Sequence, residues 1–357
     1  MFKTIYMDTI KPSRMILLSW VLRRNPLLLH GSHSLHLQMC GTRLTLHYPS
    51  RTPTTRDQDM AQAEVISSMP NLRSLSIMLG IIFHVLYPNS FLAQLPGQMG
   101  FSRTLGALSQ AFSLRQLCLG VQPTSHEDSL VFLLLDLFVT VGERLEDLSL
   151  RQNVLSRFLC LFNGTLPNGD PNRIPTFGNL AHLSLDLHCL TDSEYSQLSI
   201  VLSHHLPKLM TLECKDIEPG YGRRADGKKP TPVTRNPIQS LVIRECSSIW
   251  EWVVSIPARA IELQFHESRT GAIIPTLTEL VKSHAGGFGT GCVAKVVLRI
   301  DTSPVINDLS TLSITAWQPA AGLTGSTPEF ATHLLKDACT TNKVTLITFR
   351  SFGSGRL

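Results

Sequence analysis

Leu145-Glu-Asp-Leu148-Ser-Leu150-Arg-Gln-Asn153-Val-Leu155 is the stretch that decides how the rest of the chain is read. Leu148 and Leu150 alternate with polar neighbours, the signature of a short strand with one buried face, because successive strand side chains point to opposite sides. Asn153 falls where the chain must bend away from that strand, and an inward amide there can hydrogen-bond the backbone of the bend. A second stretch, Ile238-Gln-Ser-Leu241-Val-Ile243-Arg-Glu-Cys246, has the same spacing with Cys in place of Asn.

The core spacing, L-x-x-L-x-L with aliphatic substitutes, recurs along the chain. It is seen at Leu72/Leu75/Ile77, Leu114/Leu117/Leu119, Leu145/Leu148/Leu150 and Leu180/Leu183/Leu185. It continues at Leu209/Leu212/Cys214, Ile238/Leu241/Ile243, Ala260/Leu263/Phe265, Val293/Val296/Leu298 and Val344/Ile347/Phe349. A weaker copy is Leu35/Leu37, and Leu309/Leu312/Ile314 is a further candidate. One or two such triplets arise by chance in any leucine-rich chain, but nine do not. From Leu75 to Val296 the central residues step by 22 to 42 positions, the spacing of a leucine-rich repeat with insertions.

Helical segments fill the intervals. Thr191-Asp-Ser-Glu194 has the capping-box pattern, followed by Tyr195, Leu198, Val201, Leu202 and Leu206 at helical spacing. Thr327-Pro328-Glu329 places a cap, a proline and an acid at a helix start, continued by Phe330, Leu334, Leu335 and Ala338. Residues 56–69, 128–141 and 275–284 read as helices too. Residues 163–178, rich in Pro, Gly and Asn, and the basic stretch 218–237 read as surface loops. The expected fold is therefore an α/β leucine-rich-repeat solenoid with irregular repeats, a curved parallel sheet and helices on its convex side. The expected organisation is a single repeat domain over 1–357, with residues 1–34 as a strand and helix cap.

Composition narrows the function. Of 357 residues, 43% are apolar and 17% charged, enough for a large core. The formal net charge of +5 is too dilute over this length to point to nucleic acid. Eight cysteines stand at least 25 residues apart, so paired zinc ligands are not expected and a reducing compartment, cytoplasm or nucleus, is. The run Met15–Leu22 precedes Arg23-Arg24 rather than following a basic segment, unlike a signal peptide. The run Leu130–Val141 is shorter than the ~20 residues a bilayer demands, so no membrane partner is expected.

Motifs that could carry chemistry are weak. Gly286-Gly-Phe-Gly-Thr-Gly291 lies between a helix and a strand, the reverse of the order a dinucleotide fingerprint needs. His30, His33 and His36 are three apart and His204-His205 adjacent, with no neighbouring Cys or acid to complete a metal set. Trp250 and Trp252 flank Glu251 in what reads as a short helix, with one of the two expected to pack into the core. No catalytic residue, cofactor or metal is expected, and the chain is not expected to be an enzyme.

The repeat geometry gives a sharper expectation. The position just after the third leucine of each triplet faces outward on the sheet: Met78, Gly120, Arg151, Asp186, Lys215, Arg244, His266, Arg299 and Arg350. With strands ~4.8 Å apart, stacked cations repel unless something screens them. Arg151, Lys215, Arg244, His266, Arg299 and Arg350, flanked by Glu213, Glu262 and Gln264, are thus expected to rim a site for an acidic or phosphorylated protein segment. The competing reading is a set of long side chains that simply reach into solvent.

The N-terminal stretch, from Thr4-Ile-Tyr-Met-Asp-Thr through Ser13–Leu37, resembles fungal F-box/leucine-rich-repeat proteins. Ile5–Met7 corresponds to a short strand, Arg14–Leu22 to a helix, Arg24-Asn25-Pro26 to a bend and Ser34–Leu37 to the first repeat strand. Met69-Pro-Asn-Leu-Arg-Ser-Leu75 and Phe177-Gly-Asn-Leu-Ala-His-Leu183 are phrases similar to those of the family. The resemblance implies a protein-interaction role, as the substrate-recognition repeats of a ubiquitin-ligase subunit. It implies a Skp-type adaptor as partner only if an F-box, usually opened by an L-P-x-E phrase, lies upstream of Met1. The alternative is a leucine-rich-repeat scaffold unrelated to ubiquitination.

Overall fold

The computed structural model describes residues 4–8, 12–25, 27, 32–40, 55–80, 102–121, 128–151, 154–162, 174–187, 190–215, 233, 236–244, 256–266, 273–275, 277–278, 281, 295–301, 328–341 and 344–351. They form two compact units, one of residues 1–186 with 196–209 and one of 187–195 with 210–357. The triplet Leu309/Leu312/Ile314, Gly286–Gly291, Asn153, Cys246, Trp250 and Trp252 lie outside the described residues.

In the first unit, strands and helices alternate. The strands are β1 (Thr4–Asp8), β2 (Ser34–Cys40), β3 (Ser74–Gly80), β4 (Gln116–Val121), β5 (Asp147–Leu150) and β6 (His182–Asp186). Between them run α1 (Pro12–Arg24), α2 (Thr55–Ser67), α3 (Ser102–Gln110), α4 (Asp128–Val141) and α5 (Val154–Cys160). Every strand pairs in parallel with the next in chain order. Parallel neighbours require a crossover, and the intervening helices supply it. The helices neighbour one another in the same sequence, α1 on α2, α2 on α3, α3 on α4 and α4 on α5.

The leucines fix this register. Leu35, Leu75, Leu117, Leu148 and Leu183 stand opposite one another, and Leu37, Ile77, Leu119, Leu150 and Leu185 form a second row. The first leucine of each triplet, Leu72, Leu114, Leu145 and Leu180, is wholly buried. A one-residue slip would turn an entire strand's apolar set outward, so burial holds the register strongly. A recurrent hydrogen bond marks each step. The His33 carbonyl accepts from the Arg73 and Ser74 N–H groups, Arg73 from Arg115 and Gln116, Arg115 from Glu146 and Asp147, and Glu146 from Ala181 and His182, all at 2.8–3.0 Å.

Behind the strands, Phe138, Phe158 and Phe177 meet edge to face with centroids 5.4–5.8 Å apart. Arg144 ties two helix ends together. Its guanidinium donates to the carbonyls of Leu108 (2.8 Å) and Ser109 (3.2 Å) at the end of α3 and of Thr140 (3.0 Å) near the end of α4, where helix carbonyls lack intrahelical partners.

The second unit contains β7 (Thr211–Lys215), β8 (Ile238–Arg244), β9 (Ala258–His266), β10 (Lys295–Asp301) and β11 (Thr345–Ser351), again parallel and in chain order. Residues 273–275, 277–278 and 281 are helical, and Pro328–Thr341 forms a helix before the last strand. The double acceptance recurs, with the Met210 carbonyl taking the Gln239 and Ser240 N–H groups at 2.9 and 3.1 Å. The helix Asp192–His204, named α6, draws residues from both units. It opens on the capping box: the Thr191 N–H donates to Glu194 Oε2 (2.7 Å), and the Glu194 N–H to Thr191 Oγ1 (3.3 Å).

Two registers differ from the expected triplets. On β9 the inward row is Ala258, Ile261 and Leu263 rather than Ala260, Leu263 and Phe265, because Leu241 pairs with Ile261 and Ile243 with Leu263. Residues 261, 263 and 265 are all buried and alternate equally well, so the strand's own pattern fits two registers. On β11 the shift is one residue: Val296 pairs with Leu346 and Leu298 with Thr348. Leu346 and Ile347 are adjacent and both apolar, which hides the parity in sequence.

Candidate functional site

The sheet's outward residues differ in chemistry between the units. In the first, two outward rows are Ser34, Ser74, Gln116, Asp147, His182 and His36, Ser76, Cys118, Ser149, Ser184. These are short and mostly uncharged. Arg151, just beyond β5, is exposed, and its N–H donates to the Leu119 carbonyl at 2.8 Å.

In the second unit the outward rows carry charge. One row runs Glu213, Val242, Glu262, Val297 and Ile347, and the next Lys215, Arg244, Gln264, Arg299 and Phe349. Lys215, Arg244 and Arg299 thus stand at one register position, as the repeat spacing predicts. His266 and Arg350 do not. His266 pairs with Asp301, two residues beyond Gln264, and Arg350 pairs with Ile300, in the row that carries Phe265. The reason is the pair of register shifts on β9 and β11.

The expected repulsion between stacked cations is met from within the chain. Arg244 Nε lies 2.7 Å from Glu213 Oε1, and Lys215 Nζ 3.4 Å from the same oxygen. Arg299 donates through Nε to Glu262 Oε1. Each carboxylate precedes its partner by one pleat along the sheet face, so cation and anion rows run side by side. Glu213 Oε1 is shielded from solvent and makes no well-aligned hydrogen bond; its two cation contacts are close in distance but poor in angle, and the attraction there is chiefly Coulombic. Arg244 and Arg299 keep 45% and 49% of their side-chain surface exposed. Pairs this exposed contribute under about 1 kcal/mol each to stability, so their main effect is on the surface potential. Among the described strand residues at outward register positions, the cations Lys215, Arg244, Lys295 and Arg299 stand against the carboxylates Glu213, Glu262 and Asp301, so the charges on this face nearly balance.

The histidines are placed separately. His33 is exposed, its Nδ1 3.4 Å from the Asn71 carbonyl oxygen. Burial lowers the His36 pKa, with a smaller contribution from Arg151. Burial likewise lowers that of His205, helped by neighbouring His204, and its ring rests on Phe162 with centroids 4.7 Å apart. Among the described residues, no group of three or more His, Cys, Asp or Glu is arranged to hold a metal ion. Cys214 faces inward and fully buried, its thiol pushed well above the ordinary range first by burial and then by Glu213. A cavity of about 290 Å³ between α1, α2 and α3 is lined by Ser19, Leu22, Arg23, Met60, Glu64 and Arg103, and Arg23 there pairs with Glu64. No described helix is long and apolar enough to cross a membrane.

Glu213 and Glu262 are legible in the sequence as flanks of the basic column; only the register shows that they neutralise it. No protein-family model matches the chain, and no curated protein matches it.

Proposed function

We propose that the chain is a leucine-rich-repeat protein acting as a protein–protein interaction module, and that it serves as the substrate-recognition region of an F-box-type ubiquitin-ligase subunit. The observation that carries the interaction reading is the alignment of leucines at one register position on successive parallel strands. Repeats that bury one edge against the next produce such rows, and they leave an open sheet face whose side chains are free to vary without disturbing the core. That arrangement suits recognition of another macromolecule. The ligase reading rests on the likeness of residues 4–37 to F-box/leucine-rich-repeat proteins.

Affinity purification with mass spectrometry tests both halves. The chain and a version extended by any in-frame sequence upstream of Met1 are each expressed with a tag. Reproducible protein partners of the chain support the interaction module, and none above the tag control would overturn it. Capture of a Skp-type adaptor by the extended version supports the ligase role. The same partners without an adaptor would favour a scaffold outside ubiquitination.

A further inference from the structure

We infer that the outer surface of α1, with the cavity beside it, binds an amphipathic α-helix of a partner protein that carries acids beside its apolar stripe. This rests on the reading of the chain as an interaction module, but it places the contact on the helix side rather than on the sheet face. At 100° per residue, Ile16, Leu17, Trp20 and Arg24 turn away from buried Leu22. Leu17 and Trp20 keep 59% and 49% of their surface exposed, Ile16 37%, and Leu27, just past the helix, 78%. A single exposed apolar residue is ordinary, but a group on one helix and its end marks a docking surface. The cavity adds an anchor point. Ser19 and Arg23 line it, and residues three or four apart on a helix are neighbours, so Ile16 and Trp20 border its mouth. Its volume of about 290 Å³ is at the lower limit of the ~300–1,000 Å³ of small-molecule sites, room for a side chain or two. Leu22, Met60 and Val65 give it apolar lining.

Backbone and charge make the partner more specific. The surface is built from helices, whose backbone groups bond within themselves, so it offers no ladder to an extended strand. An incoming chain must satisfy its own backbone, and a helix does so. α1 carries Arg14, Arg23 and Arg24 with no acid, and α3 adds Arg103. α2 holds Arg56 and three acids. Two of these, Asp57 and Asp59, stand at its start, five or more residues before Glu64, and Glu64 is already engaged by Arg23 and Ser19. The excess around Trp20 is therefore positive, which favours an acidic flank on the partner. Arg24 sits over the Trp20 ring, its Cζ 4.0 Å from the centroid, and pairs with no described carboxylate. Its N–H groups, at the edge of the guanidinium plane, can meet an acid while the ring beneath packs on the apolar stripe.

The test is selection of a displayed library of single helices, alanine-rich with one face randomised, on the immobilised full chain. The expected result is enrichment of helices with an apolar stripe and an Asp or Glu beside it. L17S/W20S should weaken a selected helix at least tenfold. R24E should weaken it at least threefold, and the same helix with its acid changed to Lys should recover that loss on R24E, a gain that misfolding cannot produce. Selected helices without acids, unchanged affinity in both variants, or no recovery by the Lys helix would each overturn the inference. So would binding to phosphatidylserine vesicles in place of any helix, or a dimer of the chain that L17S/W20S dissolves. The interaction module itself fails on a different result, absence of any captured protein, so the two are separable.

Discussion

Gly142 shows how little room the helix-side core leaves at a single residue. A Cβ there would sit 2.9 Å from the Thr176 carbonyl oxygen and 3.3 Å from the Phe177 ring. The first of these is backbone and cannot swing aside, so G142A should destabilise the protein by about 1–3 kcal/mol in urea unfolding. Gly106, in α3 with nothing near its would-be Cβ, is the control: G106A should stabilise by about 0.5–1 kcal/mol by raising helix propensity. Equal effects at the two sites would contradict this account. His205 gives a pH dependence of known sign. Its pKa is lowered on folding, so the unfolded chain binds more protons, and the stability it contributes is present above about pH 6.5 and lost as pH falls below. The urea midpoint should therefore drop between about pH 7.5 and pH 5.5, and His205→Gln should reduce the drop without abolishing it, since His36 is shifted the same way. An unaltered drop in that variant would remove His205 from the explanation.

Among elements, α6 is the one whose start is written most plainly. Thr191 is exposed and acts through the reciprocal bonds to Glu194, so its loss is a capping loss rather than a packing one. Thr191→Ala should cost about 1 kcal/mol, and adding Glu194→Ala should cost less than the two single changes together; strict additivity would mean that the pair does not act as a unit. The helix over 128–141 matches its expected span, and the one over 328–341 begins at the expected proline, because the first is a long apolar run and the second carries a capping start. Two short helices were not legible. Ser102–Gln110 mixes Gly106 with serines, and Val154–Cys160 follows β5 so closely that its apolar residues read as the tail of the repeat pattern. Both are held by their neighbours, α3 against α2 and α4, and α5 against α4, which no local pattern can show.

For the molecule as a whole, stability of a stacked architecture is a sum of local terms and neighbour contacts, so strands with two partners outlast those with one. Among the described residues β1 pairs only with β2, and β11 only with β10. Amide hydrogen exchange should thus be fastest in Thr4–Asp8 and Thr345–Ser351 and slowest in strands such as β4 and β9; uniform protection along the series would argue against nearest-neighbour stabilisation. The charge pattern belongs to this scale too, since Lys215, Arg244 and Arg299 come from separate segments of sequence and meet only through strand pairing.

The leucine spacing by itself determined that short strands alternate with helices and that each strand buries one side, because burial is a property of period and period is written locally. It also placed Lys215, Arg244 and Arg299 at equivalent positions. Only the tertiary structure decided which residues of β9 and β11 fill those positions, exchanging His266 for Gln264 and Arg350 for Phe349. The physical reason is that a strand with apolar residues at three alternate positions, or at two adjacent ones, fits its own core in more than one register. The choice is then made by the neighbouring strand's hydrogen bonds and side chains.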